Sequence, residues 1–221
     1  MKNKILCFMV VVSTLIFCSC TFLQPHVEGD ELIKKAREDY KNLESAKVIM
    51  TNMDTNEVEQ TFTFKYDEKG MLSFSYEGKN GDDVYAQYGT PSRYDTYEKG
   101  TLKHYNKDDK DFIAYTKDST HPQASEELIV FTPRAVADAS KTTEGETTHI
   151  HHTYDTEKIK ADQEIKEFSV DYYFDVDGEL LYFIENSALE TDGKTNKHSY
   201  KVEITDKNEV SKVPNTVAQY E

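Results

Sequence analysis

Tryptophan is absent from all 221 residues, and the three cysteines, Cys7, Cys18 and Cys20, all fall within the first twenty. The body of the chain therefore has neither a disulfide framework nor thiol chemistry, and its stability rests on a hydrophobic core. Basic residues are also scarce, with 26 Lys and Arg against 41 Asp and Glu and a formal net charge of -15. Nucleic acid is excluded as a partner, because phosphate neutralisation needs clustered Lys or Arg. The same charge favours solubility and repels anionic headgroups. Glycine-rich phosphate cradles and nucleophile elbows are missing too. Scattered acids and histidines do not define an acid–base pair, so neither enzymatic activity nor a cofactor is expected. The chain holds 15 tyrosines. With no Trp beside them they read as sheet formers rather than a glycan platform.

The start of the chain is rich in what the rest lacks. Lys2 and Lys4 precede residues 5–17, interrupted only by Ser13 and Thr14, and small or polar residues follow. That is the layout of an export signal. Removing the two lysines with it leaves 24 basic against 41 acidic residues. The tetrapeptide Phe17-Cys18-Ser19-Cys20 resembles the lipobox of bacterial lipoproteins, in which a small residue precedes a cysteine that receives a diacylglyceryl group. The resemblance implies a signal peptide over 1–19, acyl chains such as palmitate on Cys20, and a tether over 20–29 broken by Pro25 and Gly29. Each buried CH₂ contributes ~0.8 kcal/mol, so two or more chains hold a protein firmly on a membrane without spanning it. The alternative is that residues 5–23, uncharged throughout, remain as a signal anchor. Either way the lysines mark the inner side and the body lies outside the cytoplasm.

Asp30 can cap a helix over 30–43, where Leu32, Ile33, Ala36, Tyr40 and Leu43 recur at helical spacing. The period then changes to two. In VEQTFTFKY, residues 58–66, Phe62 and Phe64 share a face with Tyr66, and after the turn DEKG, Leu72, Phe74 and Tyr76 repeat the alternation. Further strands are expected at 46–53, 83–88, 93–98, 102–105 and 112–115. Two short helices are expected at 125–131 and 133–139, the second opening on Pro133. Strands return at 147–154, 166–174, 179–190 and 196–205. The rhythm argues for an antiparallel meander in one domain over 30–221 rather than βαβ units.

The lipobox, one amphipathic helix, a long antiparallel run broken by central helices, the hairpin YYFDVDGELLYFIENSAL and the closing strand YKVEIT before VSKVP resemble the LolA/LprG-like lipoproteins and lipoprotein carriers. The resemblance implies an α+β, mostly antiparallel fold in which a curved half-barrel sheet wraps the helices and leaves an apolar cavity for acyl chains. One-faced aromatic strands with few helices to cover them suit such a pocket. The candidate lining is Phe62, Phe64, Leu72 and Phe74 in the first hairpin, with Tyr172, Phe174, Phe183 and Ile184 in the second. The competing assignment packs these residues as plain core. The functional expectation is a membrane-anchored lipoprotein that binds an apolar or acylated ligand. The alternative is a cell-surface interaction or envelope-sensor domain with a filled interior and a protein partner.

Two polar motifs stand out. In a strand, His149 and His151 of His149-Ile150-His151-His152 project from one face, so two imidazoles could share a metal with a third ligand from His104, His121 or an acid. An exposed polar strand accounts for the pattern as well, and no metal is assigned. Asp175-Val176-Asp177-Gly178-Glu179 begins like a calcium loop, but residue 186, the twelfth position, is Asn, and a hairpin turn is expected. In residues 106–111 the acids Asp108, Asp109 and Asp111 could hold calcium weakly at a loop, though a solvated charge run is the default expectation.

Overall fold

The computed structural model describes residues 26–81, 83–110, 128–159, 164–191 and 193–221. Eleven strands hydrogen-bond in the order β6-β5-β4-β3-β2-β1-β11-β10-β9-β8-β7, and every registered pair is antiparallel. The first six are β1 (Ser45–Asn52), β2 (Glu57–Tyr66), β3 (Leu72–Asn80), β4 (Asp83–Thr90), β5 (Arg93–Glu98) and β6 (Thr101–Asn106). The others are β7 (Val136–Glu144), β8 (Thr147–Tyr154), β9 (Glu164–Phe174), β10 (Leu180–Thr191) and β11 (Lys194–Thr205). With the helix α1 (Asp30–Lys41), this is the α+β, mostly antiparallel, unclosed sheet expected of a half-barrel. Among the described residues no helix is long and apolar enough to cross a membrane. The lipobox and Cys20 lie outside the described residues, as do the strand expected at 112–115 and His121.

Contacts divide the chain into two compact units. One takes in α1, β7 to β10 and β11 as far as Lys201; the other takes in β1 to β6 and everything from Val202 onward.

In the first unit α1 turns Ile33, Ala36 and Tyr40 inward. The chain enters it through Gly29 at φ +79°. A Cβ there would lie 2.5 Å from Ile150 Cδ1, so only glycine permits both the turn and the approach. Alternation along β9 buries Phe168, Val170, Tyr172 and Phe174 on one face. The register extends that face sideways into two rows, Ile150–Tyr172–Phe183 and His152–Val170–Glu185. The Asp175 segment is a hairpin turn, as expected: its carboxylate accepts the amides of Asp177 (3.0 Å) and Glu179 (2.8 Å), and Gly178 takes φ +78°.

The expected helix at 133–139 requires correction. A single 3-10 turn, Pro133–Ala135, is followed at once by β7. Nor are Ile129, Val130 and Phe131 helical, although all three are buried; residues 125–127 lie outside the described residues. β7 is an end strand whose side chains are largely exposed. Pairing with β8 overrides the helix propensity of its alanines.

In the second unit Phe62, Phe64 and Phe74 form an aromatic cluster on one face of β2 and β3, with ring centroids 5.8 and 6.2 Å apart. Gly89 stands opposite Phe74 in β4, and a Cβ there would fall 2.0 Å from the ring. The C-terminal turn Thr216–Tyr220 packs Tyr220 against Tyr97, centroids 3.9 Å apart.

Candidate functional site

The interior of the first unit is apolar but carries a polar node. Tyr172, Phe174, Phe183, Val170 and Ile150 are all fully buried. Among them the hydroxyls of Tyr154 and Tyr172 lie 3.1 Å apart, and Tyr172 donates to the Val130 carbonyl. Arg37 reaches inward from α1 and donates from Nη1 to the Phe131 carbonyl (2.8 Å). Its charge and that of Glu185 both act on the two phenols. Burial pushes both tyrosines up, so each stays a neutral donor.

Glu185 is the unusual member. It follows Phe183 on the inward face of β10, is 7% exposed, and makes no hydrogen bond among the described residues. Burial alone pushes its carboxyl up to about 8, so it is largely protonated at neutral pH. In the same row, His152 bonds through Nε2 to the Glu28 carbonyl (2.9 Å). Burial pushes its imidazole down and keeps it neutral, and its Nδ1 has no partner among the described residues. That buried nitrogen of His152 leaves one polar atom of this interior unsatisfied among the described residues.

Of the eight lining candidates, Tyr172, Phe174 and Phe183 share this face in the first unit. Phe62, Phe64 and Phe74 are buried in the second unit, and Leu72 is only partly so. Ile184 is a correction: it shares the opposite face of β10 with Tyr182 and Asn186, because neighbours in a strand point to opposite sides. The groups missed from sequence are Glu185, Arg37, Tyr154 and His152. The available signal was Glu185 lying in phase with Phe183.

No protein-family model matches the chain, and no curated protein sequence matches it. Among solved structures, the crystal structure of LprF from Mycobacterium bovis aligns with a TM-score of 0.50 at 12% identity, covering 87% of this chain and 99% of that one. The chain has a LolA/LprG-like fold. Rv2717c from M. tuberculosis aligns at a TM-score of 0.27 and 9% identity over 81% of this chain and 98% of its own.

The opposite face of this LolA/LprG-like sheet carries a second polar group. Asp171 of β9 stands directly across from His151 of β8. Its Oδ1 lies 2.8 Å from His149 Nε2 and 2.8 Å from His151 Nδ1. The sequence pairing of these two histidines on one face is thus realised, with an acid beside them. His104, weighed as a third ligand, is instead 2.8 Å from the buried carboxylate of Asp95, whose other oxygen is 2.6 Å from Arg93 Nε. At the start of α1, ligand atoms of His26, Asp30 and Glu31 lie within 4.8 Å of one another.

Proposed function

We propose that the protein is an extracytoplasmic lipoprotein, held on the membrane through acyl chains on Cys20, whose half-barrel binds an apolar or acylated ligand with one polar end. The observation that supports this reading is the protonated Glu185 carboxyl, set beside two phenols in an otherwise apolar interior. A neutral acid can donate a hydrogen bond to an ester or carboxyl oxygen, while the surrounding aromatic and aliphatic side chains suit a hydrocarbon chain. Such sites combine mostly apolar lining with a few placed polar groups.

Full-length protein purified in mild detergent should release acyl lipid into organic solvent, detected by mass spectrometry. It should also bind a fluorescent fatty acid, and Glu185→Leu should weaken that binding about tenfold, the worth of one hydrogen bond to a buried polar group. In cells, Cys20→Ser should move the protein from the membrane to the soluble fraction. A lipid-free preparation that ignores the probe would overturn the ligand reading, and a membrane-bound Cys20→Ser would overturn the anchor.

A second reading, a surface interaction or sensor domain, is favoured by β7, nine residues long with a second edge unpaired among the described residues. An unpaired edge can accept an extended peptide. Under that reading no lipid is recovered, and a partner protects the β7 amides from hydrogen exchange.

A further inference from the structure

The His149, His151 and Asp171 group is independent of the lipid reading, because it lies on the other face of the sheet. Two properties set it apart from an ordinary surface hydrogen bond. The first is the donor set. Two imidazoles alternate along one strand, and one carboxylate oxygen of the neighbouring strand lies 2.8 Å from a nitrogen of each, so two histidines and an acid share a single contact point at Asp171. Three protein ligands of this kind, with a remaining position open, are what catalytic zinc sites use.

The second property is that each of the three is held from behind. Asn186 Nδ2 donates to Asp171 Oδ2 (3.1 Å), and Asn186 Oδ1 in turn accepts from Ser199 Oγ (2.8 Å). Thr153 Oγ1 lies 3.1 Å from His151 Nε2. The His149 ring stacks on Tyr173 at 4.6 Å and 11°, and Tyr173 stacks on Tyr182 at 4.5 Å. Outer partners of this kind orient metal ligands and select the histidine tautomer. In the present contacts each imidazole donates to Asp171, and His151 Nδ1 must give up that proton for a metal to bind it.

We propose that His149, His151 and Asp171 form a binding site for a divalent transition metal ion, zinc above all, on the outer face of β8 and β9. The present contacts are hydrogen bonds. Ligand atoms about 2.1 Å from zinc lie roughly 3.3 Å apart in a tetrahedron, so an entering ion draws the carboxylate back and turns the two imidazoles toward it. The side chains have room to do so, being 35%, 34% and 17% exposed. The group at His26, Asp30 and Glu31 is a poorer host. Lys34 Nζ sits 2.6 Å from Asp30 Oδ2, and the positive end of α1 adds to the repulsion of a cation.

The test is titration of purified protein with Zn²⁺ by calorimetry, together with Co²⁺ followed by its visible absorption, and circular dichroism to show that each variant is folded. The wild type should take up one zinc, and His149→Ala with His151→Ala should abolish uptake. Asn186→Ala, which leaves all three ligands in place, should weaken it about 10- to 100-fold, the usual cost of losing an outer partner. His26→Ala should leave it unchanged. The proposal fails if the wild type gives no zinc heat, if folded His149→Ala/His151→Ala protein binds as tightly as the wild type, or if His26→Ala is the substitution that removes binding.

Discussion

Replacing Glu185 with Gln should flatten the pH dependence of stability. The folded carboxyl titrates near 8, whereas an exposed glutamate does so near 4.5. Because the folded value is the raised one, the stability associated with the neutral acid is present in full below pH 4.5. It is lost as pH rises toward 8, where the folded protein must also ionise a buried group. Each unit of difference corresponds to 1.36 kcal/mol, so the loss across this window is on the order of 5 kcal/mol. Urea unfolding at a series of pH values would measure it. The stability of the wild type minus that of Glu185→Gln should fall steadily from pH 5 to pH 8 and level off above. Parallel curves for the two proteins would mean that Glu185 is not the buried acid described above.

Gly29→Ala should be the most damaging of the conservative substitutions. The residue sits at φ +79°, where a side chain costs roughly 1–2 kcal/mol. The new methyl would also lie 2.5, 2.8 and 2.9 Å from three atoms of Ile150, a fully buried residue of β8. Overpacking of this kind costs about 1–3 kcal/mol. Relief would require the turn to move, carrying with it the Glu28 carbonyl that satisfies His152. The combined loss should be roughly 3 kcal/mol, or a melting temperature lower by about 6–12 °C in a chain of this size. Adding Ile150→Val should recover part of it. A Gly29→Ala protein that melts within a degree or two of the wild type would contradict the tight approach.

Most strands could be read from the sequence because one face of each is buried, so the period of two is written into residues such as Phe62, Phe64, Val170, Tyr172 and Phe174. β7 was missed for the opposite reason. With side chains mostly in solvent it has no buried face to impose alternation, and its alanines left only a helical preference. The same logic limits the sites. His149 and His151 share a face by spacing alone, but Asp171 joins them only through the β8–β9 register, which neither strand encodes by itself. Glu185 was legible in principle, since it keeps phase with Phe183. An acid at a core position goes against the usual burial preference, however, and its two phenols come from other strands, β8 and β9. Ile184 shows the reverse error, an apolar residue grouped by type where strand parity separates it from Phe183.

The place of β11 in the strand order has a consequence for synthesis. Among the described strands β11 comes latest in the chain, yet it completes the pairing of the earliest, and Thr205 bonds across to the Lys47 carbonyl. Until translation reaches Thr205, β1 is a raw margin, zipped to β2 on one side and bare on the other. A chain cut short by a premature stop codon before β11 would keep that margin, and would be expected to clump with its siblings rather than persist as a smaller folded product.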